Sequence, residues 1–414
     1  MTDKIIAINV EVLNRDLYPR LILSEYFLKD NYTVVIGLQR ELLTLLNSSA
    51  LKVDIFIDKS ISRPKNSFYK NIKLNNTLIF SVDEEGGFLR DDIDRFIKNR
   101  SSFENIELVD AIFCWGEFDY HAWKRVYKNY SEKIYLTGAP RVDYWLKNRD
   151  SFYSKNLIRD YFFIPSNFSM ANSWMTNEEI IKNSIVRGII NAGEEEILLD
   201  KIRDDKIRRD YFAKQIIEIS KKYPSNDFVL KPHPAENAKY WEDEFKLIKN
   251  IKLETKFDTT DLINGAIGVI HDGCTTGVEA IIKGKPCYSL NLSKNFSNMI
   301  SESIEDLSDK KSFQSIPKSQ NLIKDKIKIA NNTNAKEIYE IIASKSTSSN
   351  GYVKRNAILF YKLKFYIKDC INKIFGGNLR TYSKASSLEI SSIKNFFKDK
   401  KISKLTNNTF IIKP

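Results

Sequence analysis

Short apolar runs alternate with helical stretches through most of this chain, and that alternation limits the fold more than any other feature. Residues 5–10, IIAINV, are almost wholly apolar. A strand of that kind is covered on both faces, the condition of a parallel sheet layered with helices. The runs at 33–37, 53–57, 77–82, 111–115 and 133–137 repeat it, with amphipathic helices expected at 18–29 and 40–46. Six such strands before residue 140 make one Rossmann-like domain.

A second α/β series follows a segment, 142–160, rich in Asn, Arg, Ser and aromatics. Strands are expected at 161–165, 228–231, 252–254, 268–271 and 286–290. Helices are expected across 177–222, broken near Gly193, and at 239–248, 258–264 and 276–283. The expected fold class is α/β: two Rossmann-like domains with an interdomain cleft, the GT-B architecture, plus a basic helical C-terminal tail. Periodicity alone does not separate GT-B from other two-domain α/β enzymes. The expected divisions are 1–150 for the first Rossmann-like domain, 155–344 for the second and 345–414 for the tail.

The net charge of +12 sits entirely in that tail. Residues 345–414 carry 15 basic and 3 acidic side chains, which leaves 50 of each sign in 1–344. A neutral body has no net field to draw phosphates, so nucleic acid is not an expected partner. Within the tail, residues 352–375 place Leu359, Leu363, Tyr366, Ile367, Cys370, Ile371 and Ile374 on one helical face, with lysines mostly around the other side. Such a helix either docks its apolar stripe back on the first domain or meets a membrane surface.

The four cysteines (114, 274, 287 and 370) form no CxxC pair, which suits a reducing compartment and argues against a zinc site. No apolar run approaches a membrane span, and the N-terminus runs straight into a strand. The expected location is the cytoplasm, or the inner face of the cytoplasmic membrane as a peripheral protein.

Three constellations carry chemistry. Asp83, Glu84 and Glu85 follow an expected strand and precede Gly86 and Gly87. Strand carboxyl ends present ligands in α/β sheets, and crowded carboxylates raise one another's pKa toward a useful base. A solvated acidic loop is the plain alternative. No DxD spacing is present, so no metal is expected. Next, Lys231 ends a strand and His233 stands between Pro232 and Pro234, a rigid placement that suits a phosphate or a leaving group. Third, the segment from His271 through Gly273 to Thr275, Thr276 and Glu279 runs from a strand through a small-residue turn into a helix. Such a turn cradles an anion, and Glu279 stands where ribose hydroxyls could be held. His271 either braces the turn or touches the ligand. Asn14, Arg15 and Arg20 after the first strand, and Arg141 at the end of the first domain, are candidate substrate contacts. His121 lies in an aromatic helical stretch and reads as structural.

Together these motifs resemble the bacterial surface carbohydrate biosynthesis proteins. These are GT-B enzymes related to the sialyltransferases and β-Kdo transferases of capsule and lipopolysaccharide assembly, which use CMP-activated sugars. The resemblance spans about 1–290 and rests on residues 11–15, 58–60, 83–86, 113–117, 137–143, 231–236 and 271–279. It implies a glycosyltransferase with a nucleotide-sugar donor, a glycan or glycolipid acceptor and no cofactor beyond that donor, CMP-linked by the resemblance. Glu84 would be the catalytic carboxylate, with Asp83 or Glu85 as alternatives. His233 would bind the donor phosphate and steady the departing CMP, Thr275 and Thr276 would hold phosphate or sugar carboxylate, and Glu279 the ribose. Retention and inversion both stay open. Two other readings stand beside this one: a UDP-sugar enzyme, of the 2-epimerase or transferase kind, and a noncatalytic scaffold of polysaccharide assembly anchored by the tail.

Overall fold

The computed structural model describes residues 4–84, 92–147, 160–186, 190–294, 296–307, 317–330, 333–346, 351–374 and 390–414. The chain divides into two compact units, Met1–Asn148 with Lys324–Pro414, and Arg149–Ile323. The first unit carries β1 (Ile5–Val10), β2 (Thr33–Leu38), β3 (Leu51–Lys52), β4 (Ile55–Asp58), β5 (Leu78–Val82), β6 (Ala111–Cys114) and β7 (Ile134–Leu136). The second carries β8 (Tyr161–Pro165), β9 (Asp227–Lys231), β10 (Ile251–Leu253), β11 (Ala266–His271), β12 (Cys287–Ser289) and β13 (Glu302–Ser303). The chain then returns to the first unit with β14 (Tyr352–Val353), β15 (Lys401–Thr406) and β16 (Thr409–Lys413).

The first sheet runs β15-β16-β2-β1-β4-β5-β6-β7, and the second runs β10-β9-β8-β11-β12-β13. Strands β1, β2 and β4–β7 pair in parallel, as do all those of the second sheet. Every residue of β1 is buried, which is why its sequence does not alternate; the one polar residue, Asn9, donates to Asp58 at 2.7 Å. The six strands expected in the first domain and the five in the second are all present. Each unit is a Rossmann-like layer of helices on a parallel sheet.

The expected third segment, 345–414, is not separate, and the boundary at 344 does not match the observed one at 323. Three buried carboxylates of the first unit fasten the returning chain. Asp143 accepts the backbone N–H groups of Asn334 (3.3 Å) and Ala335 (2.7 Å), and so caps the helix Asn334–Lys345. Burial pushes the Asp143 carboxyl up to about 6, with these two bonds opposing the rise. Asp54 accepts from Gly351 N–H at 3.1 Å. Glu41 accepts from the Thr406 hydroxyl and from Asn408 N–H (3.0 Å) and Nδ2 (2.7 Å), which pins the β15–β16 hairpin onto the antiparallel edge of β2.

Two glycines of the resemblance motifs serve this return. A Cβ on Gly116 would lie 2.3 Å from the Lys326 carbonyl oxygen, and one on Gly138 would lie 2.5 Å from Asn334 Oδ1. Gly138 also has φ +79, a conformation that favours glycine. Gly116 is extended (φ −162), so its requirement is purely for space. Gly116→Ala is therefore expected to cost about 1–3 kcal/mol, because the obstacle is backbone that must move. Urea denaturation measures this, and an unchanged midpoint would refute the close approach.

Helix Arg355–Ile374 docks on the first unit through Ile358 and Phe365, which join a core cluster with Ile411. This differs from the docking expected of the 359/363/366/367 stripe, whose residues are exposed. Side chains of Cys370, Ile371 and Ile374 lie outside the described residues. Among the described residues, no helix is long and apolar enough to cross a membrane.

Candidate functional site

In the first unit, chemistry gathers just past β5. Glu84 is 1% exposed, and Arg20, from the helix Leu13–Lys29, is fully buried beside it. Arg20 Nε lies 3.0 Å from Glu84 Oε1, and Arg20 Nη2 donates to the Val82 carbonyl at 2.7 Å. The ion pair is close but poorly aligned, so both Glu84 oxygens are without a hydrogen-bond partner among the described residues. Burial pushes the Glu84 carboxyl up to about 7. Arg20 pulls against that rise, Asp16 adds to it, and Arg141 and Arg15 oppose it more weakly.

The other expected residues of this unit divide clearly. Arg141 Nη1 donates to the Glu84 carbonyl at 3.0 Å, and its guanidinium lies over the Trp145 ring. Arg15 Nε donates to Asp16 Oδ1 at 2.5 Å, while Asp16 Oδ2 accepts Glu11 N–H and Val12 N–H and closes the turn after β1. Asp83 is held by Arg100 Nη1 at 2.9 Å, and its carbonyl accepts Trp115 Nε1–H at 2.8 Å. Asp83 thus pairs with Arg100, as Glu84 pairs with Arg20. Glu85 and Gly86 lie outside the described residues, as does the side chain of Asn14. Arg100 gives no signal in the sequence, because it reaches Asp83 from a separate helix, Ile93–Arg100.

In the second unit, the loop after β9 is built around Glu236. That buried carboxylate accepts Phe168 N–H (2.7 Å), Trp241 Nε1–H (2.7 Å), the Ser166 hydroxyl (2.8 Å) and Asn172 Nδ2 (3.3 Å). Burial raises its pKa and those four bonds oppose the rise. Ser166 Oγ also accepts the backbone N–H of His233 at 3.1 Å, so Glu236 positions His233 through Ser166. Ala235 N–H donates to His233 Nδ1 at 3.1 Å. In the neutral ring the proton therefore sits on Nε2. Glu236 is legible only as the end of the 231–236 motif; nothing in spacing marks it as the organiser.

Lys231 is placed differently from His233. It is buried, with Nζ donating to the Phe257 carbonyl at 2.7 Å. Burial lowers its pKa, and Asp258, Glu254 and Asp261 pull the other way. His271 is fully buried and braces the turn: Nε2 meets Ser301 Oγ at 2.8 Å, and the ring packs on Gly277 so closely that a Cβ there would be 2.5 Å from Nε2. Burial lowers its pKa to about 4, so the ring is neutral. Of the two roles open to it, the structure shows bracing.

Gly273 takes φ +71, and its N–H donates to Asn298 Oδ1 at 2.7 Å. Asn298 in turn donates to the buried Asp272 at 2.8 Å, which fixes the turn. The helix Thr275–Ile282 then starts with no side-chain cap and no acid in its first turn. Its leading N–H groups, beside Thr275 and Thr276, favour an anion. Glu279 is 1% exposed and accepts the Thr260 hydroxyl at 2.5 Å, which ties two helices together inside the unit.

No family model and no curated protein match the chain. Solved structures do. The UDP-GlcNAc 2-epimerase of Methanocaldococcus jannaschii matches with a TM-score of 0.50 at 16% identity, over 83% of this chain and 100% of that one. The same epimerase in complex with UDP-GlcNAc and UDP matches with a TM-score of 0.50 at 15% identity, over 83% and 100%. A further UDP-N-acetylglucosamine 2-epimerase matches with a TM-score of 0.51 at 10% identity, over 84% and 99%. The fold is of the GT-B type. At these identities the likeness concerns the fold alone.

Proposed function

We propose that this chain is a nucleotide-sugar glycosyltransferase of bacterial surface carbohydrate assembly. The donor is a CMP-activated ulosonic acid, such as Kdo or a sialic-acid-like sugar, and the acceptor is a glycan or glycolipid hydroxyl. The observation that carries the reading is Glu84. A buried carboxylate with no hydrogen-bond partner among the described residues is costly to keep, and one poised near neutrality suits a proton acceptor. In the step envisaged, the acceptor oxygen bonds to the anomeric carbon while the bond from that carbon to the CMP phosphate oxygen breaks. The electron pair leaves with the phosphate, and the hydroxyl proton passes to Glu84. With Glu84 as base, direct attack by the acceptor oxygen inverts the configuration at the anomeric carbon. In the second unit, the start of the helix Thr275–Ile282, which has no side-chain cap, suits a phosphate anion.

A UDP-sugar 2-epimerase is the second reading, supported by the fold of the epimerase solved with UDP-GlcNAc and UDP. Calorimetric titration separates the two. CMP is expected to bind at least about tenfold more tightly than UDP, a gap of ~1.4 kcal/mol. Tight UDP binding with no CMP binding would overturn the CMP assignment, and conversion of UDP-GlcNAc to its C2 epimer without any acceptor would favour the epimerase.

A further inference from the structure

We infer that helix Arg355–Ile374 is an anionic-membrane contact, acting through the face opposite the one that docks on the first unit. The inference is independent of the nucleotide-sugar reading. Ile358 and Phe365 hold the helix to the core. Roughly opposite them at the α-helical period stand Leu359 (68% exposed), Phe360 (61%), Leu363 (58%) and Ile367 (48%). A helix apolar on two opposed faces has one more partner than its own unit supplies.

Charge identifies that partner. Residues 351–367 include exposed Lys354, Arg355, Lys362 and Lys364 and no Asp or Glu. Lys362 and Lys364 fall on either margin of the exposed stripe at that same period. Strand β15, against which the helix packs, adds exposed Lys401 and Lys404. An apolar stripe between rows of cations matches a bilayer surface, where acyl chains lie beneath anionic headgroups. A second copy of the chain would bring the same cations against these, which disfavours self-association through this face.

Vesicle co-sedimentation of the full chain tests the surface, using vesicles of equal parts phosphatidylcholine and phosphatidylglycerol beside pure phosphatidylcholine. The wild type is expected to sediment with the mixed vesicles, less so in high salt and little with phosphatidylcholine alone. Leu359→Ser with Leu363→Ser, and separately Lys362→Glu with Lys364→Glu, should each lower partitioning at least about tenfold. All four positions are exposed, so circular dichroism and the melting temperature should not change. No wild-type binding, undiminished binding by both variants, or a concentration-dependent dimer abolished by the leucine changes would each overturn the inference.

Discussion

Glu84→Gln is expected to lower kcat by about 10²–10⁴-fold, the usual worth of a positioned general base, while nucleotide affinity stays within about twofold. The argument rests on burial and charge together. Glu84 is pushed up to about 7 by loss of water, and three arginines limit that rise. A base works only when ionised, so the wild-type rate should climb about tenfold per pH unit below pH 7 and level off above it. The Gln variant should show no such limb, because the amide does not titrate. Glu84→Asp keeps the group but shortens its reach, and should fall between the two. Donor consumption with a glycan acceptor, followed across pH 5.5–8.5, gives both results. A Gln variant with wild-type rate would remove Glu84 from the chemistry.

Arg20→Met should destabilise the protein by about 3–5 kcal/mol at pH 8.5, the range for breaking a buried pair, and by distinctly less at pH 5.5. The folded pKa of Glu84, about 7, lies above the ordinary glutamate value of 4.5. Between those values the native state holds a proton that the unfolded chain has released, so stability falls as pH rises through that window. Removing Arg20 takes away the largest opposing attraction and raises the folded value further. The window then extends upward, and the deficit against wild type grows above pH 7. Acid conditions leave Glu84 neutral in both proteins, and the lost bond from Arg20 to the Val82 carbonyl then dominates. Urea denaturation at the two pH values reads this directly. Equal losses at both would show that the pair is not coupled. The rate limb of Arg20→Met should also move to higher pH, and Arg20→Lys should restore most of its position.

The fold was largely legible because parallel strands covered on both faces are apolar at nearly every position, as in β1 and β8. The same logic fails for β15, whose sequence KISKLT alternates and is rich in lysine. It is an edge strand, where exposed lysines guard an unpaired side, and by composition it reads as a charged tail. The two-residue strands β3, β13 and β14 are too short to leave any period. Residue type and strand ends single out Glu84 in the first unit and His233 in the second as candidates. Direction did not follow from them. Lys231 and Glu279 turn into the second unit and His271 is sealed by Gly277, since a polar side chain near a strand end can face inward when it finds a partner. Partners far along the chain were also invisible, such as Ser166 on Glu236 across 70 positions.

The β15–β16 hairpin has a consequence for how the molecule is made. Glu41 waits for Asn408, 367 positions later, before its hydrogen bonds exist. Until residues 409–413 have been synthesised, β2 has no neighbour on that side. All described strands of the second unit lie between residues 161 and 303, so that unit can complete its sheet while the ribosome is still working. Synthesis therefore runs against the usual N-to-C order of domain folding: the inserted unit matures first, and the unit that begins the chain is the last to close.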